Sequence, residues 1–186
     1  MAAGSVSSLS SYGSSISCTN SGNSGSSTAL PTGSDTSASV TPVLGDSLDC
    51  TLTLTPLRSV AGTVYADADH NGSLDAGESG TGLSGWYVKL APLSAGSCQS
   101  PATAYGVVNA STGAYSLANV TSGSYCLILD NNATLTDIAA SVPAGWLGTQ
   151  NASGVIQITV TNSPPAPQNF GLYHGSTVSG TVFGDT

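Results

Sequence analysis

Apolar and polar residues alternate along much of this chain with a period of two, and strong helix formers are few. In Asp49-Cys50-Thr51-Leu52-Thr53-Leu54-Thr55, Cys50, Leu52 and Leu54 face one way and the threonines the other, the pattern of a strand with one covered face. Val60-Ala61-Gly62-Thr63-Val64-Tyr65 predicts another strand. In Trp86-Tyr87-Val88-Lys89-Leu90 the alternation sends Trp86, Val88 and Leu90 inward and Tyr87 and Lys89 to solvent. Further strands are predicted at 105–108, 114–117, 125–129, 156–160 and 170–173, many of them separated by turn residues at the spacing of a β-sandwich. Residues 135–146 have room for one short helical turn before Pro143-Ala144-Gly145. Residues 1–30 are a low-complexity mixture of Ser, Gly and Asn around short alternations such as Ile16-Ser17-Cys18-Thr19, which alone suggests disorder. Cysteines at both ends of the 18–50 region suggest instead a small β unit stapled across its strands.

Composition narrows this to an all-β, turn-rich chain long enough for one or two domains, with 23 Gly and 9 Pro in 186 residues. The net charge is −8, and Arg58 and Lys89 are the only fixed cations. Nucleic acid and anionic membrane surfaces both call for basic patches, so neither is an expected partner. No apolar run approaches the ~20 residues of a membrane span. Met1-Ala2-Ala3-Gly4 lacks the basic start and apolar stretch of a signal peptide. Met1 therefore reads as an added start on a fragment, with any export signal outside it.

The four cysteines, Cys18, Cys50, Cys98 and Cys126, lie singly, without a C-x-x-C pair or a matching histidine cluster. That spacing argues against zinc and thioredoxin-like chemistry. An even count in an acidic, Ser/Thr-rich chain reads as two disulfides in an oxidising, extracellular setting. Sequence order pairs Cys18 with Cys50 and Cys98 with Cys126, one of the possible connectivities; four free buried thiols are the competing reading.

The sharpest chemical signal is Asp67-Ala68-Asp69-His70-Asn71-Gly72-Ser73-Leu74-Asp75-Ala76-Gly77-Glu78, which gathers four of the ten acidic residues, the only glutamate among them. Its D-x-D-x-N-G-x-x-D-x-x-E spacing is that of an EF-hand-type calcium loop. Asp67, Asp69 and Asn71 would offer side-chain oxygens and Ser73 a backbone carbonyl. Asp75 would act directly or through water, and Glu78 with both oxygens. Gly72 sits where such a loop turns with positive φ. The competing reading is an acidic, Gly-rich surface turn. Because strands, not helices, flank the loop, the expected Ca2+ is a structural brace rather than a sensor.

The strand before this loop recurs. Ser59-Val60-Ala61-Gly62-Thr63-Val64-Tyr65-Ala66-Asp67 reappears as Thr177-Val178-Ser179-Gly180-Thr181-Val182-Phe183-Gly184-Asp185, the mark of a repeat array. The expected division is 1–57 as the end of one Ser/Thr-rich β module, 58–174 as a whole unit, and 175–186 as the first strand of a following repeat.

Residues 59–174 resemble the SdrD B-like repeats of bacterial surface adhesins, which are related to Cna B-type modules. The likeness rests on several segments in order. Gly62-Thr63-Val64-Tyr65 leads into the acidic loop, and Gly80-x-x-Leu83-Ser84-Gly85-x-x-Val88-x-Leu90 follows it. Gly113-Ala114-Tyr115-Ser116-Leu117-x-x-Val120-x-x-Gly123-x-Tyr125 matches the family's hairpin, and Asn169-Phe170-Gly171-Leu172-Tyr173 its closing strand. Residues 1–57 more loosely resemble the tail of another surface module. The resemblance implies a Greek-key β-sandwich of prealbumin/immunoglobulin-like kind that stiffens on binding calcium and serves as a stalk spacer. Asn109 and Ser111 stand where the family often has an acid for a further ion. Cna B-type modules often carry a lysine isopeptide bond, which a solvent-facing Lys89 argues against.

Other chemistry is weaker. His70 and His174 read as surface histidines, and with no G-x-S-x-G elbow among its many serines the chain is not expected to be an enzyme. Trp86 and Trp146 read as core residues before they read as a sugar platform. The expected function is a calcium-stiffened structural repeat, spacer or filament-forming, of a secreted or cell-surface protein. Its partners would be neighbouring repeats, joined by strand addition of 177–185. The alternative is an adhesin module whose loops bind a glycan or host protein.

Overall fold

The computed structural model describes residues 9–22, 26–34, 37–175, 179–182 and 184. After a 3-10 turn at Leu9–Ser11, the chain forms β1 (Tyr12–Asn20), β2 (Thr32–Gly33) and β3 (Leu48–Pro56), a sheet of order β2-β1-β3. Leu57 alone separates this sheet from β4 (Arg58–Ala66). There follow β5 (Tyr87–Ser94), β6 (Ser97–Cys98), β7 (Ala104–Val107), β8 (Ala114–Val120), β9 (Gly123–Asp130), β10 (Trp146–Gly148), β11 (Val155–Val160) and β12 (Phe170–His174).

These later strands make a sandwich. One layer has the order β10-β12-β4-β8; the other runs β11-β9-β5-β6, with β7 also on β5. From β7 to β12 the chain changes layer at each strand. The closing strand β12 lies parallel to β4, with Phe170 opposite Val64 and Leu172 opposite Ala66. The alternation seen in the sequence supplies the two inner faces. Val60, Val64, Leu117, Phe170 and Leu172 pack against Val88, Leu90, Leu127, Leu129 and Val160 in one core. Each such buried side chain stabilises by about 1.5–3 kcal/mol. The fold is all-β as expected, and Trp86 and Trp146 are half-buried against this core.

Lys89 departs from expectation. It is wholly buried, as are Val88, Leu90 and Ala91 on either side of it. The outer face of the second layer is covered too, by a small cluster of Ala91, Ala102, Cys126 and Ile128 under Leu135 and Ile138. Alternation assigns a polar residue to solvent only when one face of a sheet is bare, and here neither face of β5 is. The β unit expected around Cys18 and Cys50 forms, with β1 paired to β3 along its whole length. Two other expectations change. Residues 135–145 hold turns at 135–136 and 144–145 and no helix. Ser179, Gly180, Thr181 and Val182 belong to no strand, and Val182 is 99% exposed; residues 177, 178, 183 and 185 lie outside the described residues.

Both cysteine pairs are disulfides in sequence order, Cys18–Cys50 and Cys98–Cys126. The first joins directly opposed residues of β1 and β3. The second spans β5, because Cys98 lies opposite Leu93 on one side of it and Cys126 opposite Ala91 on the other.

Candidate metal centre

The acidic loop leaves the sandwich at the end of β4 and returns to the same place. At its base Ala66 N donates to Ser79 O (2.8 Å) and Asp67 N to Leu172 O (2.8 Å), while Tyr65 bridges to Gly80. Gly80 and Gly82 then donate to Ser111 O and Ala110 O. The loop is thus a crossover held at both ends by the strands, and its turn falls at Gly72, with φ +74°.

Inside the loop, hydrogen bonds turn the acidic side chains toward one point. Asp67 is buried, with Oδ1 accepting from Asn71 N (3.2 Å) and Oδ2 from Gly72 N (2.9 Å). Glu78 reaches back across the loop, Oε1 accepting from Ala68 N (2.8 Å) and Oε2 from Asp75 N (3.0 Å). Carboxylate oxygens of Asp67, Asp69 and Glu78 lie within 4.8 Å of one another. Asp75 is not part of this triad but is linked to it through Asn71. Asn71 donates through Nδ2 to Asp69 Oδ2 (2.9 Å) and Asp75 Oδ2 (2.6 Å), and its Oδ1 accepts from Ser73 N (2.7 Å). Asn71 therefore turns its amide nitrogen, not its oxygen, to these carboxylates.

The electrostatics fit a cation. Burial works to raise the Asp67 pKa; hydrogen bonds, among them those from the backbone N–H groups of Gly72 and Asn71, outweigh it and hold the carboxyl below its ordinary value. The neighbouring Tyr65 phenol is pushed up to about 12, first by burial and then by the charges of Asp67, Glu78, Asp75 and Asp69. Neither fixed cation relieves this field. Arg58 donates to Asn162 O, and Lys89–Asp130 is the only ion pair among the described residues. A set of hard oxygen donors without a cationic side chain suits a hard divalent ion. His70, at a non-liganding position with φ +67°, instead stacks on Tyr173 at 3.6 Å between ring centroids.

A second polar cluster was not expected. Lys89 Nζ lies 2.5 Å from Asp130 Oδ2, 3.1 Å from Asn132 Oδ1 and 2.8 Å from Asp137 O. Asn132 Nδ2 in turn donates to Asp130 Oδ2 (3.1 Å) and Asp137 Oδ2 (3.0 Å). With Lys89 buried, exposure no longer counts against a lysine cross-link; the structure has an ion pair and hydrogen bonds there. A lone lysine in an apolar strand was the available signal, but its partners lie some forty residues on.

Among protein-family models, that of a prealbumin-like fold domain matches residues 1–56. The match falls on the N-terminal sheet rather than on 59–174, so it supports the prealbumin-like class and not the SdrD B-like or Cna B-type repeat in particular. No curated protein matches the chain.

Proposed function

We propose that this chain is a structural module of a surface or secreted protein, and that its sandwich is braced by a calcium ion held in the 67–78 loop. The observation that carries this reading is the convergence of Asp67, Asp69 and Glu78 oxygens at a crossover whose ends are tied to β4 and β12. Asp67, Asp69 and Glu78 would hold the ion, with Asn71, Asp75 and the Ser73 carbonyl completing an oxygen set of the usual size. The ion would offset carboxylate repulsion and so stiffen the crossover. Prealbumin-like domains are typical of surface and pilin-type proteins and are generally non-enzymatic. The two disulfides agree with an oxidising compartment.

A ligand that binds only the folded state adds RT ln(1 + [L]/Kd), about 2.7 kcal/mol at a hundredfold excess over Kd. The expected result is a melting temperature that rises with calcium, falls back with chelator, and responds little to calcium in Glu78→Gln. Identical melts in calcium and chelator would remove the ion from this account.

A further inference from the structure

We propose that the free edge of β3 accepts the Ser179-Gly180-Thr181-Val182 segment of a second copy as a parallel strand, joining copies head to tail. The template lies within the chain. Counted back from the repeated V-x-G-T-V motif, Leu52 and Leu54 of β3 occupy the places of Phe170 and Leu172 of β12. In the sandwich β12 has an antiparallel neighbour, β10, on one edge and the motif strand β4 in parallel on the other. In the N-terminal sheet β3 has its antiparallel neighbour, β1, and no second partner among the described residues.

Exposure follows the same division. Phe170 and Leu172 are 1% and 2% exposed and Val64 2%, whereas Leu52 is 46% and Val182 99% exposed. Copying the register Phe170↔Val64 sets Leu52 opposite Val182 and brings two exposed apolar side chains together. An unpaired strand edge is a template for just such an addition.

Gly180 points the same way. Its counterpart Gly62 is needed because a Cβ there would stand 1.7 Å from Gln168 O, yet a Cβ at Gly180 would meet nothing within 4 Å. In the copied register Gly180 comes against Cys50, the counterpart of Gln168, so the close approach that requires glycine reappears between copies. The contact is heterologous: each copy uses one face to give and another to receive, so association is open-ended. It does not depend on the calcium reading.

The test is light scattering of the 186-residue chain over a range of concentrations, with and without chelator. The average mass is expected to climb with concentration for the intact chain, in either buffer, and to stay at that of one chain for a form ending at Gly175. Gly180→Val and Val182→Asp should behave like the shortened form. Neither side chain touches the folded single chain, so misfolding would not explain that loss. Association that persists in the shortened form, or an intact chain that remains single at every concentration, would overturn the proposal.

Discussion

Lys89 has no exposed surface, and its charge is balanced by Asp130 at 2.5 Å. Removing one member of a buried pair leaves an uncompensated charge, at a cost of about 3–5 kcal/mol, whereas replacing both by apolar residues is often neutral. Lys89→Met should therefore lower the urea midpoint strongly, and Lys89→Met with Asp130→Leu should recover most of the loss. A single variant within about 0.5 kcal/mol of the parent, the range of ordinary surface changes, would mean the pair contributes nothing. The residues of the candidate metal centre differ from Lys89 in how they could be read. Their spacing is local, so Asp67 to Glu78 could be picked out from twelve consecutive letters. Lys89 depends on partners brought near by the β5–β9 pairing.

At the level of elements, the β7–β8 turn closes onto β4. Gly113 N donates to Asn109 O, and its carbonyl accepts from Val64 N (2.9 Å). Gly113 has φ +72° and a Cβ there would lie 2.1 Å from Val64 O; Gly82 has φ +76° but open space around it. Both alanine variants carry the left-handed cost of about 1–2 kcal/mol, and Gly113→Ala adds a clash with the backbone of a central strand. Calorimetry should show a clearly larger drop in melting temperature for Gly113→Ala than for Gly82→Ala; equal drops would refute the close approach. Strands with one bare face were legible from their alternation, as β8 and β11 are. The short strands β2, β6 and β10 were not, because two or three residues carry no period and exist only through their neighbours.

At the scale of the whole molecule, two apolar core clusters are found among the described residues, and neither includes a residue before Val60. The N-terminal sheet relies instead on the full β1–β3 ladder and on Cys18–Cys50, which closes 32 residues of chain. Closing a loop of that size stabilises by about 3–4 kcal/mol on the chain-entropy model. Cys18→Ser with Cys50→Ser should release this sheet to proteolysis or hydrogen exchange while the sandwich keeps its melting temperature. A sandwich that melts earlier in that variant would show the two parts to be one cooperative unit.

The all-β class, most strand positions and the acidic loop are written in short stretches of sequence, since a period of two and a twelve-residue spacing need no knowledge of distant contacts. Layer membership, the covered outer face of β5, the burial of Lys89 and the convergence of Asp67, Asp69 and Glu78 came only with the tertiary structure. Each of them depends on which segments pack against which, and burial on both faces of a strand leaves no mark in its own alternation.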